Sequence, residues 1–257
     1  MIETTDHGAV GTCLSLTLFG GFHVRQLEPA TDVTIGAKKG RALLAYLALR
    51  PTQVHPRDKL ATLLWGDKRQ ECARQSLRQT LCDLRADLPP AAATLLRVGQ
   101  DNIGLDATRV VVDVVEFQRL AAGKSIESLE QAGALYQGEL LEGIPVDEPL
   151  FEEWLRLERD RALETALSVF AKLLARQREA GLIEDAILSG LRLLEIDPLQ
   201  EVVHRTLIRL YLSQGRVSAA RRQYEHCAQM LRREFGEKPE AETTALIVAL
   251  GPGRTFE

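Results

Sequence analysis

The sequence is poor in most features that mark secreted, membrane or catalytic proteins. It has four cysteines in 257 residues (Cys13, Cys72, Cys82 and Cys227), and no two form a C-x-x-C pair. Neither a zinc site nor a disulfide framework is indicated, and such sparse thiols fit a reducing cytosol. No apolar run reaches the ~18 residues that would suggest a membrane span. Residues 1–12 lack the basic-then-apolar order of a secretory leader. The expected location is therefore cytoplasmic, with no membrane partner. Catalytic signatures are missing as well. The five histidines (His7, His23, His55, His204 and His226) show no H-E-x-x-H spacing, and there is no G-x-S-x-G and no G-x-x-x-x-G-K-[ST]. Adjacent carboxylates such as Glu152-Glu153 and Glu184-Asp185 read as solvated helix faces. The expectation is a non-enzyme with no catalytic residue, no metal and no cofactor.

What is present is distributed unevenly. The whole chain carries a net charge of −4, which by itself argues against a nucleic-acid partner. Residues 1–112, however, hold 14 Lys and Arg against 11 Asp and Glu (net +3), and residues 113–257 hold 18 against 25 (net −7). A mildly basic first part and an acidic remainder allow a DNA-contacting module fused to something else.

The pattern along the chain supports that division. Leu14-Ser15-Leu16-Thr17-Leu18 alternates and stops at Gly20-Gly21, which reads as a strand and a tight turn. Phe22-His23-Val24-Arg25 reads as its partner, and Val33-Thr34-Ile35 as a third short strand. Leu43, Leu44, Leu47 and Ala48 recur at helical spacing before Pro51. A second short helix opens at Pro56-Arg57, with Leu60, Leu63, Leu64 and Trp65 inward, and closes at Gly66. A third helix spans about residues 72–88 and is terminated by Pro89-Pro90. Then two short strands flank Gly99-Gln100-Asp101-Asn102, the turn chemistry of a hairpin. Two short helices, a longer amphipathic one and a hairpin are the parts of a winged helix-turn-helix, the hairpin being the wing.

After Val112 only helical patterns occur. Residues 113–121 form a short helix, and a second runs to Tyr136, opened by Ser125. A Gly-, Pro- and acid-rich loop covers residues 138–149. One long helix follows from Phe151 to about Ala180, with Phe151, Trp154, Leu155, Ala162, Leu163, Ala166, Phe170, Leu173 and Leu174 as its apolar face. An internal repeat of 34 residues then matches Val169 with Val203, Leu173 with Leu207, Leu174 with Ile208, Gly181 with Gly215, and Ala186 with Ala220. That period is the tetratricopeptide one. Gln177 and Gly190 stand where such repeats usually carry aromatics. The fold class expected is mainly α: an α+β winged helix-turn-helix (residues 1–112) followed by an all-α, TPR-like helical domain (residues 113–257). Gly251-Pro252-Gly253-Arg254 reads as a linker, leaving open a stand-alone regulator or a fragment of a longer chain.

The third helix carries the functional signal. Leu77, Leu81, Leu84 and Leu88 fall on one stripe, suited to pack on the two preceding helices. Arg74, Gln75, Arg78, Gln79, Cys82 and Arg85 fall largely opposite. Guanidinium and carboxamide groups can make paired hydrogen bonds to guanine or adenine edges in the major groove, which suits a recognition helix. The bland alternative is a solvated polar face. Phosphate contacts need only a positive charge in the right place, and Lys38, Lys39, Arg41, Arg57, Lys59 and Arg97 are candidates. Asp101 at the wing tip would repel a phosphate, which argues against deep insertion of the wing into a minor groove. Cys72 and Cys82, on or beside this helix, permit either a redox role or that of small neutral residues.

These residues resemble a known family. Leu16-Thr17-Leu18-Phe19-Gly20-Gly21-Phe22, the helix over residues 38–49, the stretch ending Leu64-Trp65-Gly66, and residues 74–84 are similar to the N-terminal half of Streptomyces-type antibiotic regulatory proteins. Asp113-Val114-Val115-Glu116-Phe117, Leu135-Tyr136-Gln137-Gly138-Glu139-Leu140-Leu141 and Phe151-Glu152-Glu153-Trp154-Leu155 resemble the bacterial transcriptional activation domain of that family. The resemblance covers nearly all of residues 14–250. It implies an activator whose partners are double-stranded DNA, bound at short direct repeats as two side-by-side molecules (a homodimer on DNA), and RNA polymerase. Larger members append an ATPase or phosphopeptide-binding module, and neither is seen in this sequence. An alternative reading is a protein-interaction adaptor whose winged helix no longer binds DNA. The concave surface of the repeats also suits an unidentified ligand or protein. His204 and Tyr211 share a helical face there, although core packing explains both.

Overall fold

The computed structural model describes residues 13–92, 94–144 and 146–249; the linker read at residues 251–254 lies outside them. Two compact units divide the chain: Met1–Gly123 with Ala134–Leu163, and Lys124–Gly133 with Glu164–Glu257.

The first unit begins with a small sheet. Strands β1 (Leu14–Thr17) and β2 (His23–Gln26) are antiparallel, with Leu16 opposite Val24, and β3 (Thr31–Val33) extends β2 with Val33 opposite Val24. The third strand thus lies two residues earlier than its β-branched run suggests. Ile35 is buried, but beyond the ladder, where the chain turns into helix α1 (Lys38–Ala48). Leu14, Leu16 and Leu18 are fully buried, as strict alternation requires.

Helix α1 is buried from Ala42 to Ala48. Strand β4 (Val54–Pro56), which no local pattern indicates, leads directly into α2 (Arg57–Leu64). Proline at residue 56 suits the entry, because no backbone N–H is needed there. Helix α3 (Gln70–Asp87) stops at Leu88, since a residue preceding proline is pushed out of the helical region. Leu77, Leu81, Leu84 and Leu88 are buried, the stripe expected from their spacing. Strands β5 (Leu96–Val98) and β6 (Asn102–Leu105) form the wing, and β4 adds to β6 as a third strand.

A last strand, β7 (Val110–Val112), pairs in parallel with β1. It feeds α4 (Asp113–Ala121) at a point where one carboxylate does much of the local work. Asp113 is buried and accepts the amides of Leu18 (2.9 Å), Phe19 (3.0 Å) and Val114 (2.8 Å). Those donors would otherwise be buried without partners.

The segment 134–163 completes this unit. Tyr136 packs edge-on against Phe19 and at a tilt against Phe117, with ring centroids 5.0 and 5.9 Å away. The Leu141 amide donates to the Leu18 carbonyl (2.7 Å), and the Gly20 amide to that of Glu139 (2.9 Å). Gly138 is required here: a Cβ at that position would stand 2.9 Å from the Gly20 Cα, which is backbone and cannot yield. Helix α6 (Pro149–Glu179) then begins, and its first half lays Trp154 beside Tyr46 of α1, with Phe151 against Trp154 in turn. Leu163, expected on its apolar face, is 38% exposed; the other residues of that face are buried except Trp154, which is half-buried.

In the second unit α5 (Ile126–Leu135) is opened by Ser125, whose hydroxyl accepts the Ser128 amide at 3.1 Å. The later half of α6 is followed by α7 (Ile183–Ile196), α8 (Glu201–Ser213), α9 (Val217–Phe235) and α10 (Ala241–Val248). The 34-residue repeat is realised in three dimensions. Val169, Leu173, Leu174 and Ala186 are buried, as are their counterparts Val203, Leu207, Ile208 and Ala220. Gly181 and Gly215 adopt φ of 74° and 69°, the left-handed turn that glycine accepts without strain. Where aromatics would be usual, Gln177 is buried in a polar relay, donating to Glu130 (3.0 Å) and accepting from Ser189 (2.7 Å). Gly190 lets Leu207 approach to 2.8 Å from where a Cβ would be.

His204, buried in α8, donates from Nε2 to the Pro198 carbonyl (2.9 Å) and accepts at Nδ1 from Gln223 (2.7 Å). This arrangement fits the neutral ring, and burial pushes its pKa down. His55 of β4 is likewise buried and shifted down by burial, with the cations of Lys59 and Arg50 adding to it.

Two outcomes are expected. Leu77→Ala removes a fully buried side chain from the α3 stripe and should lower stability by about 2–5 kcal/mol, read from the denaturant midpoint. The unfolded chain takes up protons on His55 and His204 near pH 6.5, whereas the folded protein resists until their lowered pKa values are reached. Stability is then fully present above about pH 6.5 and is lost as pH falls through the folded values. Midpoints measured from pH 7.5 downward should show this decline, flattened in a His204→Gln variant.

Candidate nucleic-acid interface

Burial of the leucine stripe decides which side of α3 faces solvent. Arg74, Gln75, Arg78, Gln79, Cys82 and Arg85 are all exposed on the opposite side. Together with the start of α2 and the wing residues Val98, Gln100, Asp101 and Asn102, they line an open cleft between α3 and the β5–β6 hairpin. Cys72 and Cys82 are both exposed free thiols.

The candidate residues divide by what they already bind. Among the described residues the side chains of Gln75, Arg78 and Arg85 make no hydrogen bond or ion pair. Gln79 donates to Asp83 one turn on, at 2.8 Å. Arg74 is held edge to edge by Asp58, Nε to Oδ1 and Nη2 to Oδ2, both at 2.6 Å. That contact lowers the Asp58 pKa and raises that of Arg74, chiefly through the hydrogen bonds.

The basic residues expected at phosphates are less uniform. Lys38 and Lys59 are exposed. Arg57 instead clasps the wing: its Nε and Nη2 donate to the Gly99 carbonyl (3.2 and 3.1 Å), and its amide to that of Asp101 (2.9 Å). Arg97 pairs with Asp106 at 2.8 Å. The Asp106 carboxyl is held at about 2, first by the Thr108 hydroxyl and then by Arg97. Arg41 is half-buried, and its buried Nε has no hydrogen-bond partner among the described residues. Lys39 lies over the Trp65 ring, 5.2 Å from its centroid, and pairs with Glu148, whose side chain is only 5% exposed. Glu148 also accepts the Gly66 amide at 3.2 Å. Periodicity could not reveal Asp58 or Glu148 as partners, because they stand 16 and 109 residues from the side chains they hold.

Fold and site together define a winged helix-turn-helix protein with a TPR-like helical domain. The chain belongs to the bacterial transcriptional activator domain family, whose model matches residues 108–250; this is a family of transcriptional activators, as the resemblance in the sequence implied. Among solved structures, EmbR of Mycobacterium tuberculosis in complex with a low affinity phosphopeptide shares the fold, with a TM-score of 0.65 and 23% identity. The match covers 94% of this chain and 66% of that one, so the chain spans just under two thirds of EmbR's length. Comparison with curated proteins finds no match. Among the described residues no helix is long and apolar enough to cross a membrane.

Lys39 offers a test of this division. Lys39→Ala leaves the buried Glu148 without its cation, at a cost of about 2–3 kcal/mol, below the range for a fully buried pair because Lys39 is partly exposed. The thermal midpoint should fall accordingly, and Lys39→Arg should restore part of the loss.

Proposed function

We propose that the chain is a sequence-specific, DNA-binding transcription activator that lays the outer face of α3 in the major groove. The observation that carries this reading is the segregation on one helix: its leucines are buried, while Arg74, Gln75, Arg78, Gln79 and Arg85 are exposed together beside the wing. Side chains of this type supply paired donors and acceptors matched to purine edges. Phosphates flanking that groove are the proposed partners of Lys38 and Lys59, which are exposed and whose ammonium groups need only proximity. Arg57 and Arg97 are engaged within the wing, and their contribution is to hold it.

The remaining assignments rest on the family. Residues 1–112 serve as the DNA-binding domain and residues 113–257 as the activation domain, a division that follows the family match from residue 108 while residues 113–123 and 134–163 pack within the first compact unit. Two molecules bind side by side on direct repeats near a promoter, and the helical domain meets RNA polymerase. The protein acts in the cytoplasm, by binding rather than by catalysis.

A mobility shift with DNA from upstream of the chain's own gene, at two salt concentrations and with random competitor, tests the reading. Binding that survives competitor and weakens with salt is expected, and Arg78→Ala should lose about 1–3 kcal/mol if it removes a base contact. Absence of binding even at low salt would favour an adaptor role for the helical domain instead.

A further inference from the structure

We propose that Asp58 sets specificity by positioning Arg74 to read one guanine. The inference rests on the DNA-binding reading above and goes beyond it by dividing the arginines of α3 into two kinds. The side chains of Arg78 and Arg85 make no hydrogen bond or ion pair among the described residues and can adjust to whatever they meet. Arg74 is already oriented by Asp58 before DNA arrives.

A guanidinium is planar, with five N–H donors in a fixed fork. Asp58 takes the side edge of Arg74, made by Nε and Nη2, in two parallel bonds of 2.6 Å. The end edge, made by Nη1 and the second N–H of Nη2, is left over, and two parallel donors of that kind match O6 and N7 of guanine. Both side chains remain half exposed, 54% for Arg74 and 50% for Asp58, and both line the cleft beside the wing. The carboxylate is itself well placed, because neighbouring Arg57 pins the first turn of α2 to the Gly99 and Asp101 carbonyls.

Charge separates a base from a phosphate as the target. A phosphate attracts cations without regard to direction, and an arginine already paired with a carboxylate has little net charge to offer it. Asp58 would add repulsion at such a contact. A guanine edge is neutral and responds to direction, so a preset guanidinium gains there by losing less rotamer freedom on binding. An exposed ion pair contributes little to stability; removing it should therefore change recognition and leave the fold intact.

The test is selection from a random-sequence duplex pool with the full chain, as wild type, Asp58→Asn, Arg74→Ala and the double variant. Circular dichroism melts confirm that each is folded. The wild type should enrich a site containing a guanine whose preference disappears in Arg74→Ala. Asp58→Asn should still bind DNA, hold scrambled duplex more tightly than wild type, and lose roughly two- to fivefold of the preference at that same guanine, about what an exposed ion pair supplies. The double variant should match Arg74→Ala in its base preferences. An enriched site in wild type with the same profile and ratio in Asp58→Asn would overturn the role of Asp58, as would an Arg74→Ala profile unchanged at every position. If wild type enriches no sequence, the DNA-binding reading fails, and this inference fails with it.

Discussion

The structure of the first unit turns on the burial of one leucine stripe. Leu77, Leu81, Leu84 and Leu88 recur every three or four residues, so they share a face, and that face is driven out of water against the preceding helices. Each fully buried leucine contributes roughly 1.5–3 kcal/mol relative to exposure, far more than any solvated arginine gains from its own position. The polar face is therefore not chosen independently. It is whatever lies opposite the leucines, and its chemistry follows from which residues stand at 74, 75, 78, 79 and 85. The wing is brought to the same side by Arg57, whose donors end on the Gly99 carbonyl.

A second constraint comes from the segment that most resembles the family motif. Residues 136–141 press against the end of β1 so closely that Gly138 meets Gly20 backbone to backbone. Asp113 collects the amides left at that strand end, although burial raises its pKa against the pull of those donors. The first half of α6 adds the ring contacts of Phe151 and Trp154 and a charge cluster in which Glu158 takes both Arg50 (2.6 Å) and Arg161 (2.9 Å). The winged helix thus draws its core partly from residues within the family match, and chemistry at residues 136–158 bears on a unit whose outer face is made at residues 74–85.

Features set by periodicity were legible in the sequence. The α3 stripe, the hairpin turn at residues 99–102 and the 34-residue repeat all follow from local spacing, and the repeat's glycines take the turn conformation that spacing implies. Features set by a distant partner were not. Strands β4 and β7 are three residues each and exist because β6 and β1 are there to pair with. The shift of β3 has the same origin: Val33 pairs with Val24, and the chain must then leave the sheet for α1 despite the strand-like Thr34-Ile35. On the site, the arginines and glutamines could be named from the helix alone, but their internal partners could not. Lys39, a plausible phosphate ligand by position, is held by Glu148, and Arg97 by Asp106.

The most direct test of the central claim, that the outer face of α3 meets DNA, is to label the exposed arginines with an arginine-selective dicarbonyl reagent, with and without bound duplex, and read each site by mass spectrometry. Arg74, Arg78 and Arg85 should be protected by DNA, while Arg209 and Arg222 of the helical domain, also exposed, should react as before. Protection of the helical-domain arginines with none on α3 would contradict the account.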